Sequence, residues 1–284
     1  MRRLAIAGLQ LELAKDANLA VLGEEIQAAK RRFPWIDMIV LSELACHGTS
    51  TAHAEPLPGR TEEALSSFAR GAGVWLIPGS LFERDGTKIY NTTPVIDPSG
   101  RVVDRYRKIY PFLPYEEGVS GGTSFCVFDI PGAGRIGVSI CYDIWFPEIS
   151  RTLAWMGAEI IVNTALTNTI DRDTELALAR AAAASNQCYV FNVNGSGALG
   201  FGRSIVCGPG GEVLHQAGSG REQIVMELDL DQVTAVRERG WHGLGQVLKS
   251  FRDHPIAYPP YERGARSSAL DELGPLAKPR NGHS

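Results

Sequence analysis

Long hydrophobic runs are missing from this 284-residue chain: no stretch approaches the roughly 20 apolar residues of a membrane-spanning helix, so a soluble protein without a membrane partner is expected. The opening Met1-Arg2-Arg3-Leu4-Ala5-Ile6-Ala7-Gly8 has a basic start, but its apolar run is too short for a secretory segment and reads as a first strand. A basic excess is missing too. Lys and Arg number 28 against 32 Asp and Glu, leaving a formal net charge of −4, which does not neutralise phosphates and excludes nucleic acid as a main partner. Cysteine is sparse. Cys46, Cys126, Cys141, Cys188 and Cys207 are odd in number and scattered, with no CxxC pair and no His cluster at ligand spacing. Reduced thiols in a cytoplasm and no bound metal are expected from that pattern. Gly208-Pro209-Gly210-Gly211 lacks the strand-to-helix setting and the Lys-Ser/Thr ending of a phosphate loop, and no cofactor is expected. Work on a small molecule by side chains remains.

With 44% hydrophobic and 21% charged residues, the chain can bury a sizeable core. Short β-branched runs alternate with helical patterns, and Gly or Pro punctuates the joints. Strands are expected at Leu4–Leu11, Asp37–Ser42, Val74–Gly79, Ile89–Ile96, Val102–Tyr106, Arg135–Ile140, Glu159–Asn163, Cys188–Val193, Ser204–Gly208 and Gln223–Leu228. Helices are expected at Leu19–Arg32, Thr61–Gly71, Pro147–Gly157, Asp171–Asn186 and Asp231–Arg239, with Asp171 and Asp231 as N-caps. Strands outnumber helices about two to one, too many for a simple doubly wound sheet, so two sheets with helices outside are expected in an α/β protein. No linker or internal repeat divides residues 1–253. From His254 the composition turns to Pro, Gly and charge, which suits a tail over 254–284, disordered or packed as an arm on another subunit.

The strongest local signal is Gly137-Val138-Ser139-Ile140-Cys141-Tyr142-Asp143, in which a cysteine ends a buried strand just before a helix. In α/β sheets the carboxyl ends of strands build the active crevice, and a nearby helix N-terminus favours a thiolate. A buried structural cysteine is the competing reading. Glu43 and Lys108 occupy equivalent places, each just past an apolar strand. Singly they read as loop charges; together the three are chemically complete, since a carboxylate can take the thiol proton and a lysine can hold an oxyanion. Among six histidines, His47 in Ala45-Cys46-His47-Gly48 is the best rival base.

On Leu41-Ser42-Glu43, Tyr106-Arg107-Lys108, and Ser139-Ile140-Cys141-Tyr142-Asp143 with Phe146-Pro147-Glu148, the chain resembles the nitrilase, or carbon–nitrogen hydrolase, superfamily over roughly residues 4 to 261. Arg180 with Asn186-Gln187-Cys188-Tyr189-Val190, and Arg252-Asp253-His254-Pro255, resemble further family segments, whereas Ser185 departs from the Glu often found beside that Asn. The resemblance implies a four-layer αββα sandwich, a Glu43-Lys108-Cys141 catalytic set and a homodimer or higher homo-oligomer. Lys108-Ile109-Tyr110-Pro111-Phe112-Leu113-Pro114-Tyr115-Glu116 resembles the aliphatic amidase and formamidase branch and implies a catalytic role for Glu116, with Glu117 left as a solvated loop tip.

The expected reaction is hydrolysis of a small carboxamide to a carboxylic acid and ammonia through a Cys141 thioester, with Lys108 and the Tyr142 backbone N–H stabilising the oxyanion. Tyr142, Trp145, Asn163 and Thr164 are the candidate substrate-binding residues, although a tryptophan such as Trp145 equally fills space. N-carbamoyl compounds, ω-amides and nitriles stay open as substrates, with Arg172 as the cation a carbamoyl amino acid would need. A catalytically silent scaffold is the reading from another class.

Overall fold

A computed structural model describes residues 1–278; part of the expected tail, residues 279–284, lies outside the described residues. Eight strands form one sheet, in the order 222–229, 3–10, 38–40, 75–77, 88–96 and 81–85, with 102–107 and 119–120 also pairing with 88–96. Six strands form the other, in the order 213–216, 205–207, 189–194, 160–165, 134–140 and 126–130. The middle of each sheet is parallel: Arg3–Gln10 beside Met38–Val40 beside Trp75–Ile77, and Gly134–Ile140 beside Ile160–Ala165 beside Tyr189–Asn194.

Alternation along these strands makes the layers. In the first strand Leu4 and Ile6 face the other sheet and pack with Ile136, Val138, Val162 and Phe191, while Ala7 and Leu9 face outward onto Leu22, Ile26 and Leu65 of the helices Leu19–Arg32 and Arg60–Ala72. On the second sheet Ile161, Val190 and Ile205 pack outward against Ile149, Leu153, Leu176 and Ala179 of the helices Pro147–Trp155 and Arg172–Asn186. Helix, sheet, sheet, helix is therefore the order of layers, as the family resemblance implied. Gly8 lets the sheets close, because a Cβ there would lie 2.6 Å from Phe191 Cε1.

All ten expected strands and five expected helices form, with ends displaced by a few residues. The edge strands Leu81–Asp85, Cys126–Ile130 and Val213–Gln216 were not expected. Helix Leu230–Arg239 is capped by Asp229, whose carboxylate accepts from the Asp231 N–H, rather than by Asp231 itself. Asp171 stands at the N-cap of its helix without making a capping bond; its carboxylate accepts from the Thr169 hydroxyl. The chain past residue 253 does not run free at once, for Tyr261 donates to Glu148 at 2.7 Å and Tyr258 stacks on Phe251, which meets Trp155 edge-on. Among the described residues no helix is long and apolar enough to cross a membrane.

Candidate active site

Carboxyl ends of parallel strands from both sheets open at the same end of the sandwich. Met38–Val40 runs into Glu43, whose backbone N–H donates to Ala165 O at 3.2 Å across the sheet interface. Strand Val102–Arg107 ends at Lys108, whose N–H donates to Asn91 O at 2.8 Å. Cys141 opens a short helical turn, Cys141–Trp145, straight after the buried strand Gly134–Ile140. Its φ of 45° lies in the left-handed region, a strain of order 1–3 kcal/mol that non-glycine residues carry where the surroundings fix them.

Asp143 supplies that fixing. It is wholly buried and accepts from the Ile140 N–H at 3.0 Å, the Tyr110 N–H at 2.9 Å and the Tyr106 hydroxyl at 2.7 Å, tying the cysteine turn to the lysine loop. Burial pushes its carboxyl up to about 6.

Glu43, Lys108, Glu116 and Cys141 line one cavity of about 450 Å³. The Lys108 ammonium, 1% exposed, donates to Glu43 Oε1 at 2.8 Å and to Glu116 Oε2 at 2.7 Å. Asn91 Nδ2 donates to both carboxylates as well, at 2.8 Å to Glu43 and 3.2 Å to Glu116. The Phe112 N–H adds a 2.5 Å bond to Glu116. Burial alone would pull the Lys108 ammonium down, but Glu43, Cys141 and Glu116 outweigh it and hold it well above its ordinary value. The two carboxylates part company. Burial raises Glu43 despite Lys108, whereas Glu116, also penalised by burial, is held below the ordinary range by Lys108 and its hydrogen bonds. A Glu43 shifted toward holding a proton thus stands beside a Glu116 shifted toward staying charged.

Cys141 is a thiol at rest, in keeping with the need for a base. Burial first, and then the Glu43 charge, push its thiol well above the ordinary value, so the resting group is S–H and needs a base. Glu43 lines the same cavity and is close enough for its charge to bear on the thiol. Thr167 Oγ1 lies 4.0 Å from the sulfur and donates to Glu175 at 2.6 Å.

Other candidates are placed differently. Asn163 and Thr164 do not reach the cavity, because their strand runs on to Ala165 and buries them: Asn163 donates to Ser139 Oγ at 2.9 Å and accepts from Asn192 at 2.6 Å, lacing the three central strands. Trp145 lies outside the cavity lining, in an aromatic cluster with Tyr142. Tyr142 stands behind the wall, edge-on to Phe112 at 4.9 Å. Arg172 is not free for a substrate, since its guanidinium donates to Glu175, Asn192 and the Arg203 carbonyl and is 2% exposed. His47 meets Thr61 and stacks on His53, away from Cys141. Glu117 is exposed yet on the cavity wall. Asn91 escaped notice, although Asn91-Thr92-Thr93 is a polar run inside a strand whose seven last residues are all buried, a signal that such groups have buried partners.

The profile of the carbon–nitrogen hydrolase family matches residues 3–238. The chain belongs to the carbon–nitrogen hydrolase family. It is a hydrolase acting on carbon–nitrogen bonds other than peptide bonds. It is similar to the omega-amidase NIT2 of Homo sapiens, 31% identical over 255 residues that cover 84% of this chain and 92% of the relative. Similarity to omega-amidase NIT2-A of Xenopus laevis is 36% over 203 residues, covering 66% of this chain and 73% of the relative. The solved structure of Nit3 from Saccharomyces cerevisiae, described as a member of branch 10 of the nitrilase superfamily, superposes with a TM-score of 0.76 at 28% identity and covers 84% of this chain and 94% of its own.

Proposed function

We propose that this hydrolase cleaves a small-molecule carboxamide to a carboxylic acid and ammonia through a thioester on Cys141. The observation that carries the reading is the Lys108 ammonium held between Glu43 and Glu116, at 2.8 and 2.7 Å, in the cavity that Cys141 lines. Glu43, raised by burial and lining the same cavity as the thiol, takes the S–H proton as sulfur attacks the amide carbon. Negative charge gathering on the carbonyl oxygen is stabilised by Lys108, in a site whose burial strengthens the attraction. Glu43 then passes its proton to the departing nitrogen, and ammonia leaves. A water gives a proton to Glu43 and attacks the thioester; the tetrahedral adduct releases the acid, and the proton returns to sulfur. Glu116, held toward its ionised form by Lys108, fixes Lys108 and Asn91 and accepts from the substrate amide N–H.

That last contact separates amides from nitriles. A nitrile has no N–H for Glu116, and leaving the acceptor unmatched costs about 1–3 kcal/mol, so amide should exceed matching nitrile in kcat/KM by at least about tenfold. The test is ammonia release from a panel of aliphatic amides, their nitriles and N-carbamoyl amino acids, with mass spectrometry of the protein for the acyl adduct on Cys141. Dominance of a nitrile or a carbamoyl substrate overturns the reading. An ω-amidase is the second reading, favoured by the names of the relatives. A homodimer or higher homo-oligomer, proposed from the family resemblance, is checked by light scattering at micromolar concentration, where a monomer overturns it.

A further inference from the structure

The Cys141 cavity has room for an acyl group well beyond acetyl, and its wall has a distinct chemistry. Leu44, Phe82 and Phe112 give it apolar surface, and Thr49, Thr51 and Asn168 give it neutral hydrogen-bonding groups. Among the described residues lining it, Lys108 is the one cation, already engaged by Glu43 and Glu116, and a third carboxylate, Glu117, stands on the same wall.

Two cations of an adjoining cleft are engaged as well. Arg172 and Arg203 line an adjoining cleft that shares Thr169 with the cavity. Arg172 is committed to Glu175, Asn192 and a backbone carbonyl, and Arg203 pairs with Asp173 at 2.7 Å. Lys278 reaches the rim, its Nζ 5.8 Å from the centre of the Tyr115 ring, outside the lining residues.

Resting on the amidase reading, we propose that the substrate's acyl chain has an apolar stem and a neutral hydrogen-bonding end, and that ω-amides of dicarboxylic acids are poor substrates of this enzyme. A carboxylate at the end of the acyl chain loses water on entering, meets no free cation among the described residues that line the cavity, and faces the charge of Glu117. A hydroxyl or amide end meets the threonines and Asn168 with both donor and acceptor capacity. This sets the chain apart from the ω-amidases to which it is similar.

The test compares two amides of equal length, 4-hydroxybutyramide and succinamate, by ammonia release from the full-length protein. The hydroxyl compound should lead by at least about tenfold in kcat/KM, mostly through KM, since a mispaired end group weakens binding rather than chemistry. Glu117→Lys should shrink that lead severalfold, with Glu117→Gln intermediate and available should the reversal fail to fold. Lys278→Ala should leave the ratio unchanged. Succinamate matching or beating the hydroxyl compound overturns the inference while sparing the amidase reading, as does a ratio indifferent to both Glu117 variants. A loss confined to succinamate in Lys278→Ala also overturns it, by giving the carboxylate a cation. If neither amide releases ammonia while the matching nitrile or carbamoyl compound does, the amidase reading itself fails and takes the inference with it.

Discussion

The two ends of the sandwich treat charge in opposite ways. At the amino ends of the parallel strands a groove of about 940 Å³ is lined by Arg3, Asp37, Trp75, Asp97 and Arg101 among others, and at the carboxyl ends the Cys141 cavity is about half that size. In the large groove Arg101, 76% exposed, pairs with Asp97, and Arg3 pairs with Glu227 with both side chains nearly half exposed. Water solvates Arg101, Arg3 and Glu227 with or without a partner, and the buried Asp97 keeps the Ser99 and Arg101 backbone N–H donors when Arg101 leaves, so such pairs hold little energy and tune little. In the small cavity Lys108, Glu43 and Glu116 are 1%, 4% and 16% exposed, and each charge exists only because the others face it. Chemistry follows the mutual dependence of buried charges and not the volume of the hollow.

Removing single groups is the way to break this contrast, and the nucleophile should give the largest effect. Cys141→Ala should lower turnover by at least about 10⁴-fold, measured as ammonia release, because the thioester route is gone. Its thermal midpoint should stay within a few degrees, since a thiol-to-methyl change leaves no buried charge behind. Residual turnover near the parent rate would end the Cys141 mechanism.

Lys108→Met comes next and should affect both rate and fold. Loss of the oxyanion partner predicts a fall of about 10³-fold or more. It also leaves Glu43 and Glu116 facing each other in a buried site, and stripping one partner from such a cluster costs about 3–5 kcal/mol. The sign with pH is fixed: Glu43 is already raised by burial, and without Lys108 both carboxyls would favour the protonated form when folded. Destabilisation should therefore grow as pH rises through the carboxylate range and shrink as it falls, which urea unfolding at several pH values measures. A loss of stability independent of pH would mean that Lys108 supports packing rather than charge.

Glu116→Gln should lower kcat/KM by about 10- to 100-fold, and its signature lies in the pH profile. In the proposed mechanism activity needs ionised Glu43, so the acid limb should lie above the ordinary carboxylate value, where burial chiefly, then the charge of Glu116, keep it. Neutralising Glu116 should move that limb toward lower pH. A limb that stays put would remove Glu116 from the electrostatics of the base.

How much of this could be read from residue order follows from the same contrast. Glu43, Lys108 and Cys141 were legible because each stops an apolar run, where a strand end meets the crevice. Glu116 came from the proline-spaced loop and its family likeness. Asn163 and Thr164 were misplaced because the rule marks the end of a strand but not its depth, and two further residues of strand, to Ala165, bury both. Arg172 looked like a free cation since its partners, Asn192 and the Arg203 carbonyl, come 20 and 31 residues later. Edge strands such as Leu81–Asp85, whose last two residues are exposed, gave too short an apolar signal.

The smallest expected effect comes from the large groove. Arg101→Ala removes a side chain 76% exposed from a pair with Asp97, whose carboxylate keeps the Ser99 and Arg101 backbone N–H groups as donors at 2.9 and 3.0 Å. Asp97 therefore stays satisfied, and the stability lost should be under about 1 kcal/mol in urea unfolding. Because the guanidinium side of the pair is exposed to salt, parent and variant should converge further in stability at 1 M salt, where the screening length is about 3 Å. Turnover should stay within about twofold of the parent, since no buried charge connects this groove to Lys108. A drop beyond about tenfold with an intact fold would couple the two ends of the sandwich and undo the contrast between them.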